Sequence, residues 1–139
     1  MKRLNVIIVY SPDKSKLLMC HRRKNPYMGM DNLVGGKLEP GEDGLYGAYR
    51  ELLEETGIAD TDIKLTHLMD FTYHMSGVML EVYAGRLLRE AAVFGDENDL
   101  FWANAEDNFY NLERFAGEGN IGHMLAQADL YANVLFNQE

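Results

Sequence analysis

The first apolar run, Asn5 to Tyr10, is dense in β-branched residues and stops at Ser11-Pro12-Asp13, a triplet that turns the chain. Lys16 to Arg23 carries a second apolar run and is expected to be its partner in a hairpin. Lys24 to Asp31, with Pro26 and Gly29, reads as a loop, and Asn32 to Lys37 as a short strand. The period then changes. Leu45, Ala48, Tyr49 and Leu52 recur at helical spacing and predict a helix with one stripe facing a core. Pro40-Gly41 makes the turn before it, Glu42 and Asp43 put negative charge at its start, and Gly57 stands where a left-handed cap would end it. Beyond it, Ile63 to Tyr73 and Val78 to Leu88 read as longer strands joined around Met75-Ser76-Gly77. Phe94 to Leu100 reads as an acidic turn leading to a strand at Phe101-Trp102-Ala103. Asp107 to Phe115 and Gly122 to Leu130 are expected to be short helices, and Ala132 to Phe136 suits a final strand or a helical continuation. Strands with one central and one late helix predict a mixed sheet covered by helices on both faces.

Composition narrows the setting. A chain of 139 residues is expected to be one domain, spanning 1–139, able to bury roughly two-thirds of its surface. No internal repeat or low-complexity tract interrupts it. No apolar run reaches the length of a bilayer span and the first ten residues are too short for a signal peptide, so no membrane partner is expected. The one cysteine, Cys20, makes no internal disulfide, which suits a reducing cytoplasm, and its apolar setting reads as a small buried hydrophobe. Thirteen basic residues against 22 acidic ones give a net charge of −9. That balance argues against a nucleic-acid partner but leaves a single nucleotide compatible.

The chemistry concentrates between Gly36 and Ile58, GKLEPGEDGLYGAYRELLEETGI. Glu51, Glu54 and Glu55 fall at i, i+3 and i+4, so their carboxylates are expected to converge on one side of the helix. Like charges at that spacing cost roughly a few tenths of a kcal/mol per pair. A hard cation such as Mg²⁺ or Mn²⁺ would offset that cost and reach out to phosphates. Arg50, four residues before Glu54, is placed to pair with it. A glutamate-rich helix face is by itself an ordinary solvated surface. Gly36, Glu42, Arg50 and Gly57 at fixed offsets set this one apart.

That spacing matches the full pattern of the Nudix box, and the segment resembles the signature of Nudix hydrolases. The resemblance implies an α+β fold, a Nudix-type α/β/α sandwich with a mixed β-sheet and a loop-helix-loop Nudix box. It also implies metal-assisted attack of water on a diphosphate. The metal would sit on Glu51, Glu54 and Glu55, with the main-chain carbonyl of Gly36, and Arg50 would orient one carboxylate.

The order of elements, with the late Trp102, resembles the MutT-type members, which convert nucleoside triphosphates, oxidised purine nucleotides among them, to monophosphate and pyrophosphate. By that resemblance Arg22 and Arg23, in the basic run Arg22-Arg23-Lys24, lie near the triphosphate. Asn32 reads a purine edge, since an amide both donates and accepts. Asp31 departs from the pattern, which often has an aromatic residue there. Glu97 is a further metal ligand or the general base, with Asp96 and Asp99 as neighbouring candidates. Glu118 and Asn120, in FAGEGNIGH, face the Watson-Crick edge, although Asn120 equally suits a helix N-cap. Trp102 reads as core, and His21, His67, His74 and His123 as structural or surface residues. Two other readings remain open. One is a Nudix diphosphatase for ADP-ribose, a dinucleoside polyphosphate or a nucleotide sugar. The other is a non-catalytic nucleotide sensor, against which the complete glutamate set speaks. The short chain and Asn32 favour the MutT-type reading, as a monomer or homodimer.

Overall fold

Residues 1–95 and 98–136 are described by the computed structural model. Among them, strands β1 (Lys2–Tyr10), β2 (Lys16–His21), β3 (Asp31–Lys37), β4 (Thr66–Tyr73), β5 (Val78–Arg86) and β6 (Asp99–Asn104) form one sheet in the order β4-β5-β1-β3-β2-β6. Only β1 and β5 run parallel, and the remaining pairs are antiparallel. The sheet is mixed, as expected.

The apolar run of β1 is nearly continuous because both of its faces are covered. Ile7 and Val9 pack with Ala48 and Leu52 of helix α1 (Gly44–Thr56). Val6, Ile8 and Tyr10 pack with helices α2 (Asn120–Leu130) and α3 (Ala132–Phe136), through Ile121, Met124, Leu125, Leu135 and Phe136. The fold is therefore an α/β/α sandwich of the α+β class. The last segment, 132–136, is helical. Trp102 packs against the α1-side core.

Three expectations change. The hairpin of β1 and β2 closes only at Tyr10 opposite Leu17, because β3 enters between them and takes the ladder of both. Segment 107–115 is not a helix. Asn108 and Asn111 accept from the backbone N–H of Tyr110 and Glu113 at 3.2 and 3.0 Å, so their side chains hold turns that compete with helical bonds. Leu45 is 41% exposed, and the buried stripe of α1 is Gly47, Ala48, Leu52 and Thr56.

Helix α1 begins and ends on local signals. Asp43 is its N-cap and accepts from Tyr46 N at 3.0 Å. Gly57, at φ 83°, adopts the left-handed cap and returns its N–H to the Leu53 carbonyl. Between these caps α1 packs on β3, with Glu51 against Gly36 and Glu55 against Gly35.

Candidate active site

Arg50 organises the acidic face of α1. Its Nε and Nη2 donate to both carboxylate oxygens of Glu42 at 2.7 and 2.8 Å. Its Nη1 donates to Glu51 at 3.1 Å and to Glu54 at 2.9 Å, and Nη2 also reaches the Lys37 carbonyl at 3.2 Å. The expected pairing with Glu54 is present, but the bidentate partner is Glu42. That guanidinium, with the N–H of Glu39, holds the Glu42 carboxyl down to about 2. The Arg50 pKa is pushed up in turn, chiefly by Glu42. Burial raises the Glu51 carboxyl above its ordinary value despite Arg50 beside it.

The three glutamates are held in different ways. Glu51 lies against Gly36 so closely that a Cβ there would fall 2.2 Å from its Oε2. Glu55 accepts from the backbone N–H of Gly35 at 2.8 Å. Glu54, the outermost, is held by Arg50. Their convergence is thus onto one side of the helix and not onto one point: among the described residues, no three His, Cys, Asp or Glu side chains stand together as a group able to hold one ion. Arg50 and the Gly35 N–H each hold a carboxylate in a separate place.

Beside this face opens a cavity of about 470 Å³. Gly35, Gly36 and Glu55 line it, as do Arg22, Asn32, Glu118 and Asn120. Asn32 Oδ1 accepts from Leu33 N at 2.8 Å, and among the described residues its Nδ2 donates to nothing. Arg22 donates from Nε to the Pro26 carbonyl at 2.9 Å. Glu118 accepts from the Tyr27 hydroxyl at 2.8 and 3.0 Å, and Asn120 donates to the Tyr73 hydroxyl. The N-cap of α2 is Gly119, with no side-chain cap bond, so Asn120 is not the cap. Cys20 also lines the cavity and is 1% exposed, with burial pushing its thiol up to about 12. It is an inert wall.

Arg23 is elsewhere. It lies just past the end of β2, pairs with Asp99 at the start of β6, and does not line the cavity. Asp31 points into a different network, with His21 at 2.8 Å and Arg114 at 3.1 Å. Glu97 and Asp96 lie outside the described residues. Tyr27 and Tyr73 at the cavity wall, and Asn5 on β1, are cavity residues that sequence reasoning misses. Asn5 carries a signal, as the one polar residue inside an apolar strand run.

The NUDIX domain model matches residues 1–118 of the chain. The chain belongs to the NUDIX family. Its fold is similar to a C. elegans Ap4A hydrolase, with TM-score 0.75 and 16% identity, covering 95% of this chain and 99% of that one. It is similar also to a MutT protein from Methanosarcina mazei Go1, with TM-score 0.71 and 20% identity, covering 94% of each chain. Against a MutT/nudix family protein from Enterococcus faecalis the TM-score is 0.59 and the identity 22%, with 74% of this chain matched. The chain spans 42% of that protein's length.

Nudix hydrolases generally use divalent metal ions. The donors present fit such an ion by their chemistry. Three carboxylates and the main chain at Gly36 are hard oxygen ligands, and the missing side chain of Gly36 makes the space into which Glu51 reaches. Among the described residues, no helix of this NUDIX chain is long and apolar enough to cross a membrane.

Proposed function

We propose that this NUDIX enzyme hydrolyses purine nucleoside triphosphates to monophosphate and pyrophosphate, with oxidised purine nucleotides within its range. The observation that supports this is that one cavity is lined both by Gly36 and Glu55, beside the acidic face of α1, and by Asn32, Glu118 and Asn120. A nucleotide bound there spans both sets. Glu51, Glu54, Glu55 and the Gly36 carbonyl would hold Mg²⁺ or Mn²⁺. When bound, the metal neutralises phosphate charge and lowers the pKa of the attacking water. Arg50 holds Glu51 and Glu54 in place. Arg22 offers a cation to the phosphate chain, and Asn32, Glu118 and Asn120 meet the base with donors and acceptors that suit a purine edge. Glu97 serves as a further ligand or as the general base. Arg23, held on Asp99, takes no part in this reading.

The remaining proposals follow from composition. The acidic surface and single buried cysteine support a one-domain cytoplasmic protein that binds nucleotides and neither nucleic acid nor membrane, as a monomer or homodimer. A second reading, a dinucleoside polyphosphate as substrate, is favoured by Tyr27 and Tyr73, two aromatic rings on the cavity wall available to a second base. Hydrolysis across a panel of nucleoside triphosphates, dinucleoside polyphosphates, ADP-ribose and nucleotide sugars, with Mg²⁺ and with Mn²⁺, tests the two. Purine triphosphates leading the panel is the expected result, and a dinucleoside polyphosphate leading it would favour the second reading.

A further inference from the structure

Asn5 sits on β1 opposite Gly36, and lines the same cavity as Gly35, Gly36 and Glu55. It is 2% exposed. Its Oδ1 accepts from Gly36 N at 2.8 Å, which sets the orientation of the amide, since the flipped form would aim a donor at a donor. Among the described residues, Asn5 Nδ2 is the one buried side-chain nitrogen or oxygen without a hydrogen-bond partner. Folded proteins rarely leave such a group unsatisfied. Its neighbours along the strand, Ile7 and Val9, show that this face of β1 accepts apolar side chains. An aspartate would also have held the Gly36 N–H without a leftover donor. The unused N–H₂ in a cavity wall therefore points to an acceptor that arrives with the ligand.

The chemistry of that acceptor is narrow. An amide nitrogen carries no lone pair for a cation, so its partner is an oxygen or nitrogen that accepts. Asn5 adjoins the 35–36 segment, where Glu51 and Glu55 also meet the main chain, which favours the phosphate end of a bound nucleotide. We propose that Asn5 is a substrate-binding residue whose Nδ2–H donates to a non-bridging phosphate oxygen, while its Oδ1 fixes Gly36. This rests on the nucleoside triphosphate reading above.

Two variants and one resonance test it. Asn5→Asp keeps an oxygen for Gly36 N and removes the donor, and Asn5→Leu removes the amide without adding charge. Binding of α,β-methylene dGTP and of inorganic tripolyphosphate, each with Mg²⁺, is measured by calorimetry for the natural protein and both variants. Affinity for both probes should fall about tenfold or more in each variant, as expected for a hydrogen bond to a charged group. In the natural protein, the Asn5 side-chain amide resonance should move downfield on saturation with either probe, a readout that needs no variant to fold. Unchanged affinity, or an amide that does not move, overturns the proposal and leaves Nδ2 to a buried water. Weakened nucleotide binding with tripolyphosphate binding intact also overturns it, since the acceptor is then on the nucleoside. A natural protein that binds neither probe overturns the nucleoside triphosphate reading and this proposal together, whereas unaffected variants of a protein that binds both overturn this proposal alone.

Discussion

Glu42 and Arg50, eight positions apart, face each other across the start of α1 as a bidentate pair at 2.7 and 2.8 Å. The pair ties the loop before the helix to the helix itself. Through its remaining Nη1, the same arginine holds Glu51 and Glu54. A planar fork can serve three carboxylates at once where a lysine could not.

The pair gives the fold an acid-sensitive joint. The Glu42 carboxyl is lowered from 4.5 to about 2 by Arg50 and the Glu39 N–H. A depressed folded-state value means the contribution to stability is fully present above about pH 4.5 and is lost as pH falls through about 2. Thermal midpoints recorded across that window should fall less steeply for Glu42→Gln than for the natural protein. Parallel curves would show that Glu42 does not couple to folding.

Gly35 and Gly36 should respond oppositely to alanine. At Gly36 the new Cβ would meet the end of the Glu51 side chain at 2.2 Å, which can swing away. Turnover should fall about tenfold or more with the thermal midpoint nearly unchanged, as in loss of one charge-stabilising group. At Gly35, φ is +151° and the Cβ would meet the Asn5 carbonyl oxygen, a backbone atom, at 2.2 Å. Gly35→Ala should cost roughly 2–4 kcal/mol of stability in a denaturant titration. Equal stability of the two variants would contradict the geometry.

Glu54→Gln and Glu55→Gln keep shape and remove charge from the proposed metal face. Each should lower kcat by about a hundredfold or more, equivalent to roughly 3 kcal/mol of lost transition-state stabilisation. Circular dichroism should be unchanged. A double variant with near-normal turnover would remove this face from the chemistry.

The local parts of this site are legible in the sequence, and the non-local parts are not. Gly57 as a cap, Arg50 against Glu54 and the helix between are short-range features with short-range signals. The turn at 107–115 shows the limit of that logic, because Asn108 and Asn111 bond their own backbone and override an apolar spacing that suits a helix. The insertion of β3 between β1 and β2 is a matter of sheet register that no local pattern specifies. That register is what sets Asn5 opposite Gly36, and the packing of the 117–120 loop is what brings Glu118 to Tyr27 and Asn120 to Tyr73. Arg23 has the right charge for a phosphate site, yet Asp99 on the neighbouring strand claims it.

Asn32 is proposed to read the base. Removing hydrogen bonds to a purine edge costs about 1–3 kcal/mol, or roughly 5- to 150-fold in relative specificity. Asn32→Ala should flatten the ratio of kcat/KM among purine triphosphates while leaving weak, unselective hydrolysis. An unaltered preference, or an equal loss on every nucleotide, would move base reading to Glu118 and Asn120.

The products of hydrolysis report directly which phosphate bond the enzyme cuts. Ion-exchange separation of the products of dGTP hydrolysis with Mg²⁺ should show dGMP and pyrophosphate in equal amounts. Release of dGDP and orthophosphate would contradict the account.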